Sequence, residues 1–206
     1  MRKLTLVILT MASASTLAGC ATIARPSAVE VTRFHDAASL NAVQERTVFV
    51  ENAPGLEDGS LELAAFKRAV AQELTALGYS EAPRREAAYT AQVSLDRFAM
   101  GSDLPKRGPV SVGLGGRTGS YGSGVGLGIG INLGGNKSGE RVGTELGVML
   151  KSRATGNTVW EGRANWDVAK ESELVSPAAN APIIASALFA EFPGGNGETI
   201  EIDATD

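Results

Sequence analysis

Cys20 is the only cysteine and His35 the only histidine in this chain of 206 residues, so the chemistry open to it is narrow. A thiol can act as nucleophile, metal ligand, disulfide partner or acyl acceptor. With no second cysteine there is no intrachain disulfide. Zinc and other transition metals, which draw on several histidines or cysteines, are not expected. His35 stands beside Asp36 and alone could serve as a histidine general base or in a hydrolytic triad; at a strand end it reads instead as a surface turn residue. Glu198, Glu201, Asp203 and Asp206 lack the spacing of a calcium loop. The glycines of Gly113-Leu114-Gly115-Gly116 and Gly124-Val125-Gly126-Leu127-Gly128 superficially match dinucleotide fingerprints, but neither run opens a helix. Gly135-Asn136-Lys137-Ser138 lacks the upstream glycine of a P-loop. No catalytic residue, cofactor or metal is expected, and a hydrolase built on paired carboxylates has no specific residues to name.

The setting of Cys20 gives its thiol a different use. Arg2 and Lys3 form a short basic start, Leu4 to Met11 is an apolar run too short to stay as a membrane span, and small residues lead to Cys20. This reads as an export signal, against the alternatives of an ordinary secretory signal with a cysteine nearby or a core helix that starts the chain. Its end, Leu17-Ala18-Gly19-Cys20, resembles the lipobox of bacterial lipoproteins, in which residues 1–19 are removed and the cysteine becomes the acylated first residue. An unpaired thiol in an oxidising compartment is a liability unless it is used, which fits. Two or three acyl chains hold far more firmly than the single chain that binds reversibly. Ala21 follows where an aspartate would resemble an inner-membrane retention signal, so the expected location is the periplasmic face of the outer membrane.

Without the signal about 187 residues remain, enough for one domain that buries roughly 70% of its unfolded surface without staples. Removing Arg2 and Lys3 from a formal charge of −4 leaves about −6, with no basic block. Nucleic acid and anionic headgroups are therefore poor partners. The 25 glycines concentrate between Gly101 and Gly147.

The elements follow from periodicity. Residues 20–28 read as a lipidated tether. Val29 to Phe34 alternates as a first strand, and Arg46 to Glu51 is rich enough in β-branched and aromatic residues for a second. Leu63, Phe66, Val70, Leu74 and Leu77 recur at helical steps, with Asp58 or Ser60 to cap the start and Gly78 to stop the end. Ala88 to Asp96 alternates, with Tyr89, Ala91, Val93 and Leu95 on one face. Residues 101–139 read as a glycine-rich β-hairpin insertion. It could cover the core while its glycine face admits another backbone, could contact a membrane, a second copy or an apolar ligand, or could be a loop. Arg141 to Asp167 is a hairpin turning at Ala154-Thr155-Gly156-Asn157, with Trp160, Gly162, Ala164 and Trp166 on one face and both tryptophans expected in the core. A second helix is expected from about Asn180, with Pro182 in its first turn and Ile183, Ile184, Ala187 and Leu188 inward, ending before Pro193. Residues 194–206 read as a loose acidic tail.

In this order the pieces resemble the domain of unknown function 4136 (DUF4136) family of bacterial lipoproteins over nearly the whole exported chain. The residues that carry the likeness are the lipobox Leu17 to Cys20, Thr47-Val48-Phe49-Val50, Leu77-Gly78-Tyr79, Thr158-Val159-Trp160-Glu161-Gly162 and Phe192-Pro193. This chain has Ala88-Tyr89 where such proteins tend to carry an aspartate before the third strand, and its insertion is unusually long. The resemblance brings no activity with it. The expected fold is α+β, an antiparallel sheet with two helices packed on one face, over residues 29–193. The expected function is that of a membrane-anchored, non-enzymatic binding or structural module of the cell envelope, with an envelope protein or lipid as partner. The alternatives are a carrier of an apolar ligand such as a lipid and, after it, an envelope hydrolase.

Overall fold

The structure, a computed structural model, describes residues 27–42, 45–56, 59–100, 110–113, 128–131 and 140–204. The export signal, Cys20, most of the tether, and the insertion apart from two short strands lie outside the described residues.

Strand β1 (Val29–His35) leads through the short helix α1 (Ala37–Ala42) to β2 (Thr47–Asn52), helix α2 (Leu61–Ala76), the two-residue β3 (Ser80–Glu81) and β4 (Tyr89–Met100). Strands β5 (Val110–Gly113) and β6 (Gly128–Ile131) pair with each other, antiparallel, and among the described residues with no other strand. The chain then makes the long strands β7 (Arg141–Ser152) and β8 (Thr158–Ala169), a 3-10 turn at Glu173–Val175, helix α3 (Pro177–Phe189) and strand β9 (Thr199–Ile202). The main sheet has seven strands in the order β3-β2-β4-β7-β8-β1-β9.

The α+β architecture read from the sequence is found, with two refinements. The sheet is mixed, because β2 lies parallel to both β3 and β4. The reason is α2, which returns the chain to the end where β2 began, so that the next strands run in the direction of β2. The second refinement is α1. Asp36 accepts from the Ala38 amide at 3.1 Å and the Ser39 hydroxyl at 2.6 Å, which starts a helix between the first two strands. The Ser39 hydroxyl also holds the Asp36 carboxyl below its ordinary range.

Helix α2 begins and ends where its caps predict. The Ser60 hydroxyl accepts from the Leu63 amide, and at the other end Gly78 turns left-handed at φ 88° while the Tyr79 amide reaches back to the Leu74 carbonyl. Helix α3 starts earlier than expected, at Pro177 under a Ser176 cap, which leaves Pro182 inside the helix. Ser followed by Pro is the stronger start signal, since proline at the first helical position gives up an amide that has no partner there anyway.

The expectation of a loose tail from residue 194 is corrected. Residues 199–202 form β9, which pairs antiparallel with β1 from Val29↔Ile202 to Thr32↔Thr199. Ile200 and Ile202 alternate with Thr199 and Glu201, a period of two too short to stand out beside so many carboxylates.

The core lies between one face of the sheet and helices α2 and α3. Val29, Val31, Val48, Tyr89, Ala91, Val93, Leu146, Val148, Leu150, Trp160, Ala164 and Trp166 meet Phe66, Val70, Leu74, Ile184 and Leu188 in one buried cluster. The faces expected for Tyr89, Ala91, Val93 and Leu95 and for Trp160, Gly162, Ala164 and Trp166 hold as read, and both tryptophans are in the core.

Candidate functional site

The one candidate for acid–base chemistry, His35 with Asp36, is not a dyad. The Asp36 carboxylate is spent on the cap of α1. His35 Nε2 lies 3.1 Å from the Gly194 carbonyl, which can only accept, so Nε2 carries the proton. The Asn196 side-chain oxygen accepts from the His35 amide. His35 is half-buried and ties β1 to the segment before β9, where the sequence suggested a free turn.

Beside it lies a residue that sequence reasoning passed over. Arg33 shares the inward face of β1 with Val29 and Val31 and is 2% exposed. Its Nε and Nη2 donate to the Leu188 and Ala187 carbonyls, both at 3.0 Å, so a buried cation caps the negative end of α3. Burial pulls the Arg33 pKa down, and Glu191 and Glu198 pull it back up. Gly194 lies against the guanidinium with φ 81°, where a Cβ would come within 2.6 Å of Nη1. Trp160 Nε1 donates to the Pro193 carbonyl at 3.0 Å, and its ring stacks on Phe189 with centroids 5.2 Å apart. These contacts bind the chain after α3 to the sheet.

Tyr79 and Tyr89 belong to the same end of the core, edge to face at 5.8 Å. Burial raises both phenols above the ordinary 10.0, against the pull of Arg46, whose guanidinium sits 5.7 Å from the Tyr79 ring centre. In the unfolded chain these phenols ionise first, so above the ordinary value the unfolded state binds fewer protons and stability falls as pH rises toward the folded values. Urea unfolding between about pH 9 and pH 11 should show this decline, with a shallower slope in the Tyr79→Phe/Tyr89→Phe protein.

What the helices leave open is the other face of the sheet. From the ladders, Thr90, Gln92 and Ser94 of β4 stand beside Glu145, Gly147, Met149 and Lys151 of β7, which neighbour Glu161, Arg163 and Asn165 of β8. Gln92 donates to Glu51 at 3.0 Å, Arg84 pairs with the same carboxylate at 2.7 Å, and Arg163 pairs with Glu161 at 2.7 Å. A Cβ on Gly147 would come within 2.4 Å of the Ser94 hydroxyl, so the glycine keeps the middle of this face low. The result is a broad surface of alternating donors, acceptors and a single thioether.

Space for a ligand between sheet and helices is taken by side chains, with Phe66, Leu74, Leu146, Ile184 and Leu188 all under 2% exposed. A rim recess of about 200 Å³ lies between the start of α2 and β4, lined by Leu56, Ser60, Glu62, Leu63, Leu95 and Arg97. Arg97 there reaches Glu62, the Thr144 hydroxyl and the Val175 carbonyl. Among the described residues, no group of three His, Cys, Asp or Glu side chains could hold a metal ion, and no helix is long and apolar enough to cross a membrane. Cys20 lies outside the described residues.

No protein-family model and no curated protein matches the sequence. Among solved structures, a PelC dodecamer from Paraburkholderia phytofirmans, seen in two crystal forms, aligns at TM-score 0.43 and 11% identity over 79% of this chain and 95% of that one. A PDZ domain protein from Parabacteroides distasonis aligns at TM-score 0.54 and 11% identity over 85% of this chain. The present chain spans 39% of that protein's length, and the likeness is one of fold.

Proposed function

We propose that this chain is a lipoprotein, acylated at Cys20 and held at the periplasmic face of the outer membrane, whose domain is a non-enzymatic binding or structural module of the envelope. Its contact surface is the helix-free face of the sheet. The observation that carries the reading is that both long helices cover one face only, leaving Thr90, Gln92, Ser94, Met149, Glu161 and Asn165 outward on the other. Buried polar groups must be satisfied within a fold, whereas outward ones are free to meet a partner. The Leu17-Ala18-Gly19-Cys20 pattern supports the anchor. The filled core argues for surface recognition over carriage of an apolar ligand.

The test has two parts. Cys20→Ala moves the protein from the membrane to the soluble fraction, with loss of the acyl mass from the mature N-terminus. In the acylated protein, Met149→Lys with Asn165→Lys, both half-buried on the open face and outside the core, removes the neighbours captured by crosslinking in intact envelopes. A Cys20→Ala protein that stays with the membrane overturns the anchor, and unchanged neighbours overturn the face.

A further inference from the structure

The sheet has two ends, and the apolar side chains left in solvent are not shared evenly between them. Phe98 faces Gly143, which faces Asp167, and Met100 faces Arg141, so the end of β4, the start of β7 and the end of β8 lie together. The Ser27 hydroxyl bonds to Asp167, which places the entry of the chain at this same end. Arg97 pairs with Glu62 and reaches the Val175 carbonyl, which brings the start of α2 alongside. Four of the five large apolar side chains exposed among the described residues are here. Leu61 is 89% exposed, and Leu56, Phe98 and Met100 are each 37% exposed. Phe98 is held in place across Gly143, where a Cβ would come within 2.5 Å of its ring. The fifth, Phe34, is opposite Glu161 at the far end.

This uneven placement acquires a meaning once Cys20 is acylated, and docking of the domain on a bilayer rests on that proposed anchor. Six residues lie between Cys20 and Ser27, and the seven steps from one to the other reach at most about 25 Å when fully extended. The end that carries Leu56, Leu61, Phe98 and Met100 is then kept next to the bilayer. At the effective concentration that a short tether imposes, on the order of millimolar, a few apolar side chains are enough to hold an orientation that they could not produce from solution. Among the described residues at this end, the cations Arg97, Arg141 and Lys170 are each paired with a carboxylate, Glu62, Asp167 and Glu140, while Glu171 and Glu173 add negative charge. On its described residues the surface suits zwitterionic headgroups better than anionic ones.

We propose that this end of the sheet rests on the lipid surface, with Leu56, Leu61, Phe98 and Met100 in contact with the bilayer. The strands then stand away from the membrane. The far end, with the exposed turn at Thr155, is roughly 35 Å off, at about 3.3 Å per strand residue.

The test uses the acylated full-length product carrying Leu61→Cys, Phe98→Cys or Thr155→Cys. Each new thiol is labelled with nitrobenzoxadiazole, since thioether-linked Cys20 does not react. The proteins are reconstituted into vesicles of phosphatidylcholine and phosphatidylethanolamine. Labels on Leu61→Cys and Phe98→Cys should shift to the blue and be quenched by doxyl lipid several-fold more than the label on Thr155→Cys. Protein that floats with the vesicles but gives three equal, water-like labels overturns the docking and leaves the anchor standing. Protein that does not float, with an unacylated N-terminus by mass, overturns both.

Discussion

Trp160→Ala lowers unfolding free energy by about 3–5 kcal/mol, the range for deleting a large buried aromatic. The ring is 1% exposed, stacks on Phe189 and lies 5.3 Å from the Phe192 ring. Across the strand face there is nothing to collapse into the hole, because the neighbouring inward position is Gly162, whose missing side chain is what gives the indole its room. The loss reaches further than volume, since the Pro193 carbonyl loses its donor and the approach to β9 loses a tie. In thermal unfolding this is a fall of roughly 10 °C for a domain of this size, and in urea a midpoint lower by roughly 2 M. Trp160→Phe keeps the stacking and loses only the N–H and the second ring, so its cost is about half. A Trp160→Ala protein within about 1 kcal/mol of the parent would contradict the packing described.

Arg33→Met is the second large effect, at about 2–4 kcal/mol. Methionine keeps most of the volume, so the cost isolates the hydrogen bonds. Two carbonyls of the last turn of α3 are left buried without donors, at about 1–3 kcal/mol each before relaxation. Arg33→Lys, a point charge on a longer hinge, cannot reach both carbonyls at once and recovers part of the loss. Replacing a buried ion pair with apolar residues is often neutral, but here Glu191 and Glu198 are exposed and the groups left behind are backbone acceptors with nowhere to turn. The check is equilibrium urea unfolding of the three proteins side by side. A neutral or stabilising Arg33→Met would show that α3 ends without needing the cap.

Both predictions fall on β1 and β8, and these strands show what a sequence can and cannot convey. Alternation in Val29-Glu30-Val31-Thr32-Arg33-Phe34 assigns faces correctly even where hydropathy would reverse them, since Arg33 is buried and Phe34 is 53% exposed. Period outranks residue type because a strand cannot turn one side chain around without turning them all. The acceptors that make a buried arginine tolerable are another matter. They belong to a helix 155 residues away, and no local pattern points to them. The caps of α2 were legible because Ser60 and Gly78 act within a turn of their own position, whereas the parallel placing of β2 beside β4 depends on where α2 lands. For the open face, the strand pattern Thr90-Ala91-Gln92-Val93-Ser94 shows that one side is polar. That neither long helix covers it follows only from both of them packing against the other side.

The margins of the sheet carry a last consequence. One border is β3, only Ser80 and Glu81, and the opposite border is the four-residue β9, with Glu201 in it and Asp203 just beyond. Short, charged borders offer a neighbouring molecule few backbone groups to zip onto and repel a like copy. Under the lipid anchor proposed above, copies would share one membrane plane, and such trimming disfavours their joining edge to edge.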